Sequence, residues 1–108
     1  MQVNKLEAPL LNFWVAKSLG LEPIPDGRGA GSVSVINTLT GKLEPFQPSL
    51  DWSQAGPLLA AHWHELESVL LEWYGPQWPY LEIFQAKPQV WFMRALVAVH
   101  FGDEVEEL

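Results

Sequence analysis

The side chains able to do chemistry fall into a few groups, and the densest is His62-Trp63-His64-Glu65-Leu66-Glu67. Two histidines so close invite a metal reading. On a helix, residues two apart point to different faces, so His62 and His64 cannot share one ion there. The His-Glu-x-x-His zinc pattern begun at His64 needs a second histidine where Ser68 stands. On a strand the two rings would face one way, yet His100 is distant in sequence and supplies no obvious third ligand. The residues predict no metal, with His62 at the edge of the core and bonded to a carbonyl. Nucleophilic chemistry fares no better. Ser18, Ser32, Ser34, Ser49, Ser53 and Ser68 all lie outside a Gly-x-Ser-x-Gly elbow, and there is no cysteine. The carboxylate pairs Glu65/Glu67 and Glu106/Glu107 read as solvated, and a glycosidase-type dyad needs a cleft that a domain of this size seldom has. Gly27-Arg28-Gly29-Ala30-Gly31 resembles a phosphate cradle but lacks the preceding strand, the following helix and the lysine. No catalytic residue and no cofactor is predicted, and the chain is not read as an enzyme.

Arg94 is a different matter. It stands in an apolar stretch, Met93-Arg94-Ala95, and shares a helical face with Val90, Trp91, Val97 and Ala98. A guanidinium so placed is expected to act as a structural fork on carboxylates or carbonyls of a neighbouring element. Asp51 is the partner predicted first and Asp103 second. The functional reading of the same residue is an anion-binding arginine.

Charge and composition narrow the field. A chain of 108 residues makes one domain with one hydrophobic core, and six Trp, five Phe and two Tyr supply large apolar area. The net charge is −7, and residues 43–86 contain no Lys or Arg while carrying Glu44, Asp51, Glu65, Glu67, Glu72 and Glu82. Only six basic residues in all cannot easily build a phosphate-binding footprint, so direct nucleic-acid binding is not expected. No apolar run approaches the roughly 20 residues of a membrane span. The first residues lack the pattern of a signal peptide, which predicts a cytoplasmic protein without membrane association.

The elements that must position these groups read as α+β, mostly α. About three helices are predicted, roughly 6–19, 57–74 and 88–101, with a small β-hairpin at roughly 32–46. Gly20, Gly75-Pro76 and Gly102 end the helices, and Gly56-Pro57 is expected to open the second. A loop fills 22–31, and 103–108 is an acidic tail expected to fray and to be dispensable for folding. Pro48 to Gly56 is an ordered connection in which Asp51, Ser49 and Ser53 bond local amides and Trp52 pins the segment to the core. The alternative architecture shortens the second helix near Glu67 and folds 68–85 into a hairpin. With the long helix, Pro76 to Gln85 becomes an extended connection packing Trp78, Tyr80 and Phe84.

Three blocks carry a family likeness. They are Phe13-Trp14-Val15-Ala16-Lys17 with Gly20; Phe46 with Pro48-Ser49-Leu50-Asp51-Trp52-Ser53-Gln54-Ala55-Gly56-Pro57-Leu58-Leu59; and Met93-Arg94-Ala95-Leu96-Val97-Ala98 with Phe101-Gly102-Asp103-Glu104-Val105. In these blocks, roughly a third of its length, the chain resembles the NinX-like family of small bacteriophage and prophage proteins, whose function is unknown. It departs from the family pattern at Leu50, where Thr is commoner, at Ala55, where Gly is commoner, and at Ala86-Lys87-Pro88-Gln89-Val90, where a Gly-Pro-Thr-Pro-Leu-like run is usual. The family also tends to have short strands after the Gly-Pro-Leu segment, which favours the 68–85 hairpin. The resemblance implies a phage or prophage origin in a bacterial host and no particular activity.

Two functional classes follow. The first is a small accessory protein that binds a host or phage protein, an anti-defence target being one form, or a second copy of itself. Its expected contact and bracing residues are Asp51, Trp52, Arg94, Trp78 and Tyr80, with Trp52 buried and Trp78 exposed. The second is a small enzyme or ligand-binding protein, marked by a cleft uniting Asp51, Arg94 and His62 or His100.

Overall fold

A computed structural model describes residues 1–8, 10–25, 33–36 and 39–106. The fold is α+β and mostly α. It is built around α4, Pro88–Phe101, in which Trp91 through Val97 are all buried. A helix apolar on every side has to be surrounded. Here α1 (Leu10–Ser18), α2 (Trp52–Tyr74) and an N-terminal 3-10 turn at Val3–Lys5 all pack against it. Pro88 sits in the first turn, where its missing N–H costs nothing. Gly102 stops the helix with φ +81, a value that disfavours any side chain. The last predicted helix is therefore found with the bounds expected.

The second helix begins earlier than its proline suggested. Asp51 is the N-cap of α2, accepting hydrogen bonds from the Ser53 amide at 2.9 Å and the Ser53 hydroxyl at 2.6 Å. Pro57 lies inside the helix, not at its first position. The backbone leaves helical geometry at His62 (φ −123, ψ 16), so α2 is two helical segments meeting at a kink. It runs on to Tyr74, and the Gly75 amide closes it on the Leu71 carbonyl at 2.7 Å. This overturns the alternative hairpin at 68–85. The stretch after it is helical too, with a 3-10 turn at Trp78–Tyr80 and α3 at Glu82–Ala86 replacing the extended connection.

The first predicted helix, roughly 6–19, is shorter than expected: α1 begins at Leu10 and ends at Ser18 before Gly20 at φ +75, and a separate 3-10 turn at Val3–Lys5 precedes it. The hairpin is present as β2 (Val33–Ile36) and β3 (Leu43–Pro45), antiparallel, with Ser34 opposite Pro45 and Ile36 opposite Leu43. A two-residue strand, β1 (Ile24–Pro25), pairs on the other side of β2, so part of the predicted 22–31 loop belongs to the sheet. The Gly27–Gly31 run lies outside the described residues, as do Ser32 and the 37–38 part of the turn.

The acidic tail does not fray where it is described. Glu104 pairs with Gln2 in an antiparallel bridge, the Val3 amide bonds the Asp103 carbonyl at 2.9 Å, and the Val105 amide bonds the Met1 carbonyl at 3.0 Å. Val105 belongs to the hydrophobic core. Counting acidic side chains hid this, because backbone pairing and one buried valine hold the segment. Residues 107–108 lie outside the described residues. No helix among the described residues is long and apolar enough to cross a membrane.

Candidate functional site

Arg94 is only 4% exposed, and its surroundings differ from those expected. Its Nε donates to the Leu6 carbonyl at 2.7 Å. Its guanidinium carbon lies 4.5 Å from the centre of the Trp91 ring, a cation–π stack. The nearest carboxylate is Glu7, at 3.8 Å from a terminal nitrogen, and Glu7 is bonded more closely by Lys87 at 3.1 Å. Neither Asp51 nor Asp103 is the partner. Asp51 is committed to Ser53, and Asp103 accepts the Trp73 indole N–H at 3.3 Å. Leu6 and Glu7 were beyond sequence reasoning, since no local pattern ties them to a residue in the last helix.

The electrostatics follow from these contacts. The hydrogen bond from Lys87, then its charge and that of Arg94, hold the Glu7 carboxyl below its ordinary range. Burial lowers the Arg94 proton affinity, against the opposing pull of Glu7 and Tyr74. Burial also raises the Tyr74 phenol, with Arg94 acting the other way. Asp51 is held low by the Ser53 hydroxyl first and the Ser53 amide second.

The two tryptophans singled out from the sequence exchange roles. Trp52 is 51% exposed and Trp78 is 6% exposed. Trp52 is the first residue of α2, in a turn where Ser53 and Gly56 are also exposed and Ala55 is the buried residue. The connection is pinned instead by buried Phe46 and Pro48. Asn12 accepts from the Ser49 amide at 3.1 Å, and Gln89 donates to the Pro48 carbonyl at 3.2 Å. Trp78 packs edge-on against Phe84 at 5.0 Å and near Phe92 at 6.3 Å. Tyr80, expected to pack, is 75% exposed.

The histidines do not join Arg94. His62 lies 3.6 Å from the Glu65 carboxylate instead of a carbonyl, and its ring meets that of His100 edge-on at 6.1 Å. Among the described residues no group of three or more His, Asp or Glu side chains could hold a metal ion. The predicted site residues therefore occupy three separate places. Asp51 and Trp52 stand at the start of α2, Arg94 is held between α4 and the N-terminal turn, and Trp78 is in an aromatic core with Tyr80 outside it.

Two large apolar side chains, Leu50 and Trp52, are exposed around the start of α2. Leu50 is 67% exposed, and β3 at the sheet edge presents Leu43 and Glu44 outward. Gln54 ties the two stretches together, donating to the Pro45 carbonyl at 2.9 Å and accepting from the Gln47 amide at 2.7 Å. No protein-family model matches the chain, and no curated protein matches it.

Proposed function

We propose that this protein acts by binding another protein through the junction of β3 and the start of α2. The observation that carries the reading is Trp52, a large aromatic half exposed two residues from exposed Leu50, on a helix start whose backbone is fixed by the Asp51 cap and the Gln54 clamp. Exposed apolar groups carried on an ordered backbone suit interface anchors, because the main chain needs no further ordering on binding. The partner's chemistry is set by charge. Glu44 and Asp51 stand at this junction, in a stretch, residues 43–86, that has no Lys or Arg, so the complementary surface is basic with an apolar centre. The resemblance to small phage and prophage proteins supports an accessory role against a host or phage factor, with an anti-defence target as one form.

The competing reading is an enzyme or ligand-binding protein using Asp51, Arg94 and a histidine together, and among the described residues no contact joins the three. Each of those groups is engaged elsewhere. The test is capture of partners from phage-infected or lysogenic bacteria by the tagged protein and by a Leu50→Ser/Trp52→Ala variant. Circular dichroism must first show both folded alike. The reading expects a captured protein that is lost with the variant and weakened by salt; equal capture by both proteins contradicts it.

A further inference from the structure

We propose that the pocket lined by Lys5, Glu7, Tyr74, Lys87, Trp91 and Arg94 binds a small ligand through a carboxylate or phosphate group. The pocket has a volume of about 330 Å³. Three of the six basic side chains in a chain of net charge −7 line it, against the single carboxylate of Glu7. Such a concentration of positive charge is out of keeping with the rest of the molecule.

The geometry shows which edge of Arg94 is available. The Nε is used by the Leu6 carbonyl, and one face is covered by Trp91. The end carrying the two terminal nitrogens meets, among the described residues, only Glu7 at 3.8 Å, longer than a hydrogen bond. The side chain is only 5% exposed, yet neither terminal nitrogen is sealed away unpaired, so the forked end opens into the pocket with donors to offer an oxyanion. Glu7 shows what the site accepts: an exposed carboxylate from the chain itself already leans into it, held by Lys87. An external carboxylate or phosphate would displace Glu7 outward and engage Arg94 and Lys87 together. The ring of partly exposed Tyr74 and the exposed Ile83 side chain beside it suit an apolar remainder on the ligand. Tyr74 ends α2 and Trp52 begins it, so this site and the proposed protein-binding surface stand or fall separately.

The experiment is a ¹H–¹⁵N titration of the full chain, following the Trp91 indole and Arg94 Nε signals. Sodium phosphate and sodium benzoate are the probes, with sodium chloride at matched ionic strength. Saturable shifts at both signals with either oxyanion and not with chloride support the site, and the tighter of the two identifies the preferred group. Two surface variants keep the test independent of Arg94's role in folding. Lys87→Gln should weaken binding about tenfold, the worth of one charge-assisted hydrogen bond. Glu7→Gln should strengthen it by removing the internal competitor. Shifts that chloride reproduces, or a Glu7→Gln variant that binds no better, overturn the proposal.

Discussion

The Nε of Arg94 donates to the backbone carbonyl of Leu6 at 2.7 Å across a separation of 88 residues. That bond docks the N-terminal turn onto the central helix, and Leu6 beside it is completely buried. A side chain first read as a brace between the middle and the end of the chain in fact joins its beginning to its end.

Removing the brace should be expensive. Arg94→Ala leaves the Leu6 carbonyl without its donor and opens a cavity against Trp91, for an expected loss of about 3 kcal/mol or more. Arg94→Lys restores charge but neither the fork nor the planar stack, so it should recover only part of that loss. Urea denaturation of the three proteins measures both, and a Lys variant as stable as wild type contradicts the account.

Trp78 and Trp52 make a matched pair of opposite expectations. Trp78→Ala removes a ring from a cluster with Phe84 and Phe92 and should cost about 3–5 kcal/mol. Trp52→Ala should cost less than about 1 kcal/mol, because half of the ring is already in water. Equal losses on chemical denaturation would return Trp52 to the core.

Truncation after Asp103 removes the Gln2–Glu104 pairing, the Val105 amide bond to Met1 and the burial of Val105. The expected cost is about 2–4 kcal/mol, seen as a fall in melting temperature on the order of 10 °C. An unchanged melting temperature would mean that the tail is dispensable after all.

Acid should unlock two specific contacts. Asp51 and Glu7 have folded-state pKa values below their ordinary 3.8 and 4.5. Their stabilisation is thus present above those ordinary values and is lost as pH falls through the lower, folded ones. Asp51→Ala should melt below wild type at neutral pH, and the gap should shrink as pH drops below about 3.8. A gap independent of pH contradicts the ionised cap.

Much of the architecture was legible because its signals are local. Pro88 and Gly102 bound α4, Gly75 ends α2, and the alternating Val33 to Ile36 run forms β2. The start of α2 was missed because Gly56-Pro57 outweighed the Asp51-x-Ser53 cap, although that cap was present in the same segment. The site was less legible. Which of Trp52 and Trp78 is buried depends on the rotational phase of a helix against the core, and all-round burial of α4 erases the periodicity that would reveal it. The companions of Arg94 come from residues 6, 7 and 87, a grouping that exists only once the N-terminal turn has docked.

The central claim is that Leu50 and Trp52 form the protein's binding surface, and amide hydrogen exchange on the complex with a captured partner tests it most directly. The account predicts new protection across β3 and residues 50–54, diminished at high salt. Protection confined to α1 and α4, with residues 50–54 exchanging as in the free protein, would contradict it.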